Sequence, residues 1–374
     1  MPWQEQTVMS QRHEFVAFAS QEGANISAVC ERFGISRKTG YKWLARAAGD
    51  GDLADRSRRP RSSPARTSPE LEARVLALRA AHPAWGGRKL HHRLVAMGVA
   101  DAPAPSTITA ILRRHGLLAP EPPPRDFVRF EHPAPNDVWQ MDFMGHRPLD
   151  RGRVHPWTLL DDHSRFALGL AACADERQET VKAQLTAVFR RYGLPRAILS
   201  DNGAPWATAG RGGLTALEAW LLRLGVAPWH GRPCHPQTQG KVERFHGTIA
   251  AEVFAHRSLA DVDQAQGRFD AFRAGYNLER PHEALGYAVP ASRYHPSPRP
   301  FPETVPPVEY GPGEAVRTVT VHGSISFRGR RRFVSRGLVG EPVALRPLCD
   351  ETVWEVVYCH RRVATIDLNE PDEV

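Results

Sequence analysis

The chain has 374 residues, 41% hydrophobic and 24% charged, which marks a globular protein long enough for two to four domains. No run of about 18 apolar residues occurs, and the opening MPWQEQTVMS lacks the basic-then-apolar pattern of a leader, so no membrane span or signal peptide is expected. A formal charge of +8 favours a polyanionic partner, and five scattered cysteines (Cys30, Cys173, Cys234, Cys349, Cys359) without a CxxC pair point to reduced thiols in a cytosol.

Residues 1–54 read as a helical unit. Ile26–Phe33 carries apolar residues at helical spacing, Gly34 makes a turn, and Ser36 caps a second helix through Leu44. Arg37, Lys38, Tyr41 and Lys42 lie at the start of that second helix, as in a recognition helix that enters a major groove. The alternative is a plain helical hairpin with a solvated basic face, and Gly40 within the helix is unfavourable. Residues 55–67 form a basic linker in which Arg56, Arg58, Arg59, Arg61 and Arg66 occur without an acid from 56 to 66; such a run is solvated or follows a phosphate ribbon. Residues 68–118 repeat the helical logic, with Ser68-Pro69-Glu70 as cap, first-turn proline and acid. A second DNA-binding unit and a spacer domain are both open there.

A Pro-rich spacer over 119–132 precedes a change of period. Val138–Phe143 alternates, so Trp139, Met141 and Phe143 share one face of a strand, and Gln140 and Asp142 the other. Val154–Leu160 and Phe166–Ala172 are further strands, joined through Asp161 and Asp162, which suit a turn. Then come a helix over Thr180–Tyr192, a strand over Ala197–Ser200 and helices over Leu214–Leu224, Gly240–Phe254 and Gln264–Tyr276. Residues 133–292 thus predict a mixed α/β sheet with packed helices. After a Pro-rich linker over 293–314, residues 315–374 show short strands between glycine turns, for which a small β-barrel is the natural closure.

Three acids stand out. Asp201, in AILSDNGAPW, ends a short apolar strand; Asn-Gly would otherwise signal a hairpin turn. Asp142 sits in the alternating strand. Glu243 lies on a helix between Gly240 and Gly247, on a face that bare backbone leaves open to an approaching ligand, with Lys241 and Arg244 on the neighbouring stripe. A carboxylate at a buried strand end is costly unless paired, hydrogen-bonded or bound to metal. Three oxygen ligands of this kind suit hard ions, two of which, about 3.5–4 Å apart, clamp both oxygens of an in-line displacement at phosphorus.

The motifs WQMDF, LSDNG and HPQTQGKVERFHGT, in that order, resemble those of the DDE transposases and retroviral integrases with an RNase H-like core. The run Tyr276–His282 resembles the segment that closes such cores in bacterial insertion sequences. The resemblance covers about 133–292. It implies Asp142, Asp201 and Glu243 as catalytic and metal-binding acids, Mg²⁺ or Mn²⁺ as a pair of ions, and double-stranded DNA as partner. That DNA would be the element's terminal inverted repeats and a target, held in a homo-oligomer. His235, Gln237, Lys241 and Arg244 become candidate DNA contacts. One departure is the interval from Asp201 to Glu243, longer than the family's commonest through ATAGRGGLTA. A non-catalytic DNA-binding regulator and a nuclease that only hydrolyses are the competing readings.

Overall fold

The computed structural model describes residues 7–56, 66–118, 131–203, 206, 213–231, 240–255, 258–348 and 352–369. Two compact units, 1–66 and 67–374, divide the chain.

In the first unit, α1 (Val8–Ala19), α2 (Ile26–Arg32) and α3 (Arg37–Ala48) each begin at a side-chain cap: Thr7, Asn25 and Ser36 accept hydrogen bonds from the first-turn amides. Phe15, Ala19, Cys30, Trp43 and Leu53 form the core. The glycine that disfavours α3 locally has a tertiary reason. Gly40 is buried, and a Cβ there would land on Cys30 Sγ and lie 2.9 Å from the Phe15 ring. Gly40→Ala should therefore lower the stability of this unit by about 2 kcal/mol, despite the better helix propensity of alanine. A thermal melt of the variant checks the sign.

The second unit opens with α4 (Pro69–Ala81), α5 (Gly87–Ala96) and α6 (Pro105–Arg114), packed around Val75, Trp85, Leu90, Leu94, Ile108, Ile111 and Leu112. This bundle is docked on the core rather than strung beside it. Arg93 pairs with Glu279 at 2.7 Å, and His92 stacks on Tyr287 at 4.2 Å.

The core runs β1 (Val138–Phe143), β2 (Arg147–Pro148), β3 (Arg153–Asp161), β4 (Ala167–Cys173), α7 (Gln178–Tyr192), β5 (Ala197–Ser200), α8 (Ala216–Arg223), β6 (Ala227–His230), α9 (Gly240–Ile249) and α10 (Val262–Leu278). The sheet is mixed. β3 is antiparallel to β1, to β4 and, at its start, to β2, whereas β1, β5 and β6 run parallel. One face buries Trp139, Met141 and Leu159 against α7 and α8; the other buries Leu160 and Leu170 against α9 and α10. The alternation expected of β1 is what separates these two layers. The helix expected to run unbroken to Phe254 instead widens into a π-turn over Ala250–Phe254, which keeps Val253 buried and Phe254 against Phe269.

The C-terminal strands are β7 (Ala315–Thr318), β8 (Ser324–Phe327), β9 (Arg330–Phe333), β10 (Pro342–Pro347), β11 (Val353–Tyr358) and β12 (Arg361–Asp367). The expected small barrel is corrected here, because the described strands do not close. They form an open antiparallel sheet in the order β12-β11-β10-β7, and β8 and β9 pair only with each other. Closure is unnecessary because α8 covers the sheet: Leu214, Ala219 and Leu222 share one apolar cluster with Val343, Leu345, Trp354, Val356 and Tyr358. A further tie bolts the two together. Ser335 Oγ donates to the Leu214 carbonyl at 2.7 Å and accepts from the Leu214 amide at 3.0 Å.

Candidate active site

Asp142 and Asp201 are brought together by strand register. β1 and β5 pair in parallel from Val138 opposite Ala197 to Gln140 opposite Leu199. The same register continued by two residues sets Asp142 level with Asp201, at the carboxyl ends of neighbouring parallel strands where open α/β sheets bind ligands. The Asp-Asn-Gly run is not a hairpin turn, since both neighbours of β5 are parallel to it.

Asp201 is held from behind. His230 Nδ1 donates to its backbone carbonyl at 3.0 Å, and His230 Nε2 lies 2.9 Å from Glu218 Oε1. Glu218 raises the His230 pKa, the bond to the Asp201 carbonyl adds to this, and burial opposes it. Asn202 Nδ2 donates to the Gly231 carbonyl at 2.7 Å, a second strap between the two strand ends.

Glu243 rides on α9, whose Val242, Phe245 and Ile249 are buried. The start of this helix is fixed to β1 and β3 by polar contacts. Gln140 accepts from the Val242 amide at 3.3 Å and donates to Asp162 at 2.8 Å; Asp162 also pairs with Lys241 Nζ at 2.5 Å. Thr158 donates to the Asp142 carbonyl at 2.9 Å and lies 2.8 Å from His246 Nε2. His246 is pushed down to about 4 by burial and by Arg147, so its ring is neutral. Glu243 itself is exposed, and among the described residues nothing lies within 4 Å of a Cβ placed on Gly240 or Gly247.

The electrostatics connect the three acids. Burial and then the charge of Asp201 push Asp142 up to about 7, with Glu243 and Glu176 contributing; the Phe143 amide works the other way. Carboxylates around one buried member are a donor set of hard oxygens, the chemistry that Mg²⁺ and Mn²⁺ take. The set is not closed, however: among the described residues no three His, Cys, Asp or Glu side chains stand close enough to hold an ion.

The remaining candidates separate. Arg37, Lys38, Tyr41 and Lys42 are all exposed on α3, with Tyr41 58% exposed. Arg56 is exposed and ion-paired with Asp50. Arg244 is exposed beside Glu243, whereas Lys241 is half-buried with its ammonium on Asp162. Arg58, Arg59, Arg61, His235 and Gln237 lie outside the described residues. Sequence reasoning missed Asp162, Thr158, His230 and His246. Asp161 does cap a turn, accepting from Ser164, but Asp162 anchors α9. The available signals were the position of His246 one turn after Glu243 and the shared face of Gln140 and Asp142.

Comparison with known proteins follows this layout. Integrase core domain models match residues 132–236 and 224–290, a helix-turn-helix domain matches 11–61, and a homeodomain-like domain matches 39–112. Such matches define an integrase-core protein with helix-turn-helix DNA-binding domains. An IS481 family transposase C-terminal domain matches 314–373. An insertion element IS407 protein of Burkholderia multivorans is 26% identical over 227 residues, 59% of this chain and 79% of its own length. An insertion element IS476 protein of Xanthomonas euvesicatoria is 29% identical over 42% of this chain and 44% of its own length. These matches support a transposase of a bacterial insertion sequence with an integrase core. Two solved structures resemble it loosely. A simian T-cell lymphotropic virus intasome in complex with a PP2A regulatory subunit has a TM-score of 0.38 at 17% identity, covering 78% of this chain and 99% of that one. The HTLV-2 integrase catalytic core with magnesium has a TM-score of 0.32 at 16% identity, covering 44% and 99%.

Proposed function

We propose that the protein cuts and joins DNA at the ends of its own insertion element, with Asp142, Asp201 and Glu243 as the catalytic acids. The observation that supports this most is the parallel β1–β5 register that makes Asp142 and Asp201 neighbours, with Glu243 adding to the charge that raises Asp142. Two divalent ions, Mg²⁺ or Mn²⁺, would supply Lewis-acid stabilisation of the attacking and leaving oxygens. The acids hold the site in register with the scissile phosphate. In the first step a water oxygen bonds to phosphorus and the 3′ oxygen leaves. In the second that 3′-hydroxyl attacks a target phosphodiester, and the target's own 3′ oxygen leaves. Both steps are in-line substitutions, so one site serves both.

DNA would be gripped by sequence-reading and phosphate-binding parts. Arg37, Lys38, Tyr41 and Lys42 suit the major groove of the terminal inverted repeats. Arg56, Arg58, Arg59 and Arg61 suit the backbone beyond it. Arg244, with His235, Gln237 and Lys241, suits the strand entering the site. Lys241 would have to leave Asp162 for this. Two ends must be held together for joining, so a homo-oligomer on DNA is expected.

The test is a cleavage and strand-transfer assay on the flanking inverted repeats with Mg²⁺ or Mn²⁺. Wild-type protein should yield nicked and then joined product. Asp201→Asn and Glu243→Gln should each lose both products and keep binding the repeats. Nicking without joining would indicate a nuclease, and binding without either product a regulator.

A further inference from the structure

We propose that His246 is a further donor to the cation held by Asp142, and that its Nδ1 nitrogen biases the site toward Mn²⁺ over Mg²⁺. This rests on the reading of the acids as metal ligands given above. Thr158 lies opposite Asp142 in the β1–β3 ladder and spends its hydroxyl proton on the Asp142 carbonyl, 2.9 Å away. Its oxygen is then left to accept, and His246 Nε2 is 2.8 Å from it. With Nε2–H donating to that oxygen, Nδ1 is the nitrogen left to offer a lone pair to an ion.

That lone pair lies 3.9 Å from Asp142 Oδ2, with the His246 side chain only 13% exposed. A cation between that nitrogen and the carboxylate would engage both. Two donors about 2.1 Å from one ion stand roughly 3 to 4.2 Å apart, and the observed separation lies within that span. The Thr158 bond also matches what metal-bound histidines need, since the ring nitrogen away from the ion is held by an acceptor that fixes tautomer and orientation. Imidazole is a softer donor than carboxylate or water. Mg²⁺ keeps oxygen ligands, and a transition ion accepts the nitrogen more readily.

The experiment is calorimetric titration of the full chain with Mn²⁺ and with Mg²⁺, without DNA. His246→Gln sets an amide where Nε2 meets Thr158 and offers no nitrogen at Nδ1. It should weaken Mn²⁺ about tenfold and Mg²⁺ by less than about twofold. Equal weakening of both ions, or of neither, overturns the proposal. Asp142→Asn separates the two claims. Loss of both ions in Asp142→Asn with His246→Gln unaltered removes the histidine alone. An Asp142→Asn variant that binds like wild type, or a wild type that binds neither ion, removes the metal-ligand reading with it. Thr158→Val serves if His246→Gln does not fold: its ring can turn an N–H toward Asp142, and the same Mn²⁺-selective loss is expected.

Discussion

Asp142→Asn should give a protein that makes no product yet is more stable than wild type at pH 8 in the absence of divalent ions. Asp142 is mostly buried, and burial and then the Asp201 charge move it from 3.8 to about 7. A carboxyl whose folded pKa is raised favours the folded state while protonated. That contribution is fully present below the unfolded value near 4 and is lost as pH rises through 7. At pH 8 the folded protein carries a buried charge that the amide would not. The variant should gain about 2 to 4 kcal/mol there, and the gain should shrink toward zero at pH 4. Chemical denaturation at the two pH values reads this directly. A variant less stable than wild type at pH 8 would mean that the acid is already compensated, and that the site has no need of a cation.

Gly337→Ala should be the most damaging single methyl in the second unit. Gly337 sits in a short turn, Arg336–Leu338, pressed on the start of α8. A Cβ there would strike the Leu214 carbonyl oxygen and the Thr215 backbone, with the Ala216 amide nitrogen 2.7 Å away. These are backbone atoms and have no rotamer to relieve the clash, so the loss should be about 3 kcal/mol or more. It should appear as a lower melting temperature and as protease cleavage after residue 314. Gly340→Ala is the control, since a Cβ at that position meets no neighbour, although its φ of +83 makes it strained on its own account.

What was legible in the sequence was local. Ser36 and Ser68-Pro69 mark helix starts, and the alternation of β1 divides its two faces correctly. Asp201 at a strand end and Glu243 between two glycines were found from the same kind of pattern. What was not legible depends on pairing. Thr158 reaches His246 only because β3 lies beside β1 in one register, and no pattern within β3 announces it. Gly40 reads as a helix defect until Phe15 and Cys30 are seen to need its space. β12 opens on Arg361-Arg362, whose charge hides a strand that Ile366 anchors. The barrel was expected because isolated short strands need closing, and the helix that covers them instead belongs to another part of the chain.

The bolt between Ser335 and Leu214 has an engineering consequence. From α8 a short path leads inward: Glu218 grips His230, and His230 grips the backbone of Asp201. The C-terminal sheet is thus part of the foundation under a proposed catalytic acid, not an appendage. Chimeras that swap residues 315–374 between relatives should keep activity only when α8 travels with the graft. A cut at the Pro-rich linker, which looks like the natural seam, would leave the incoming sheet facing a helix surface evolved for another.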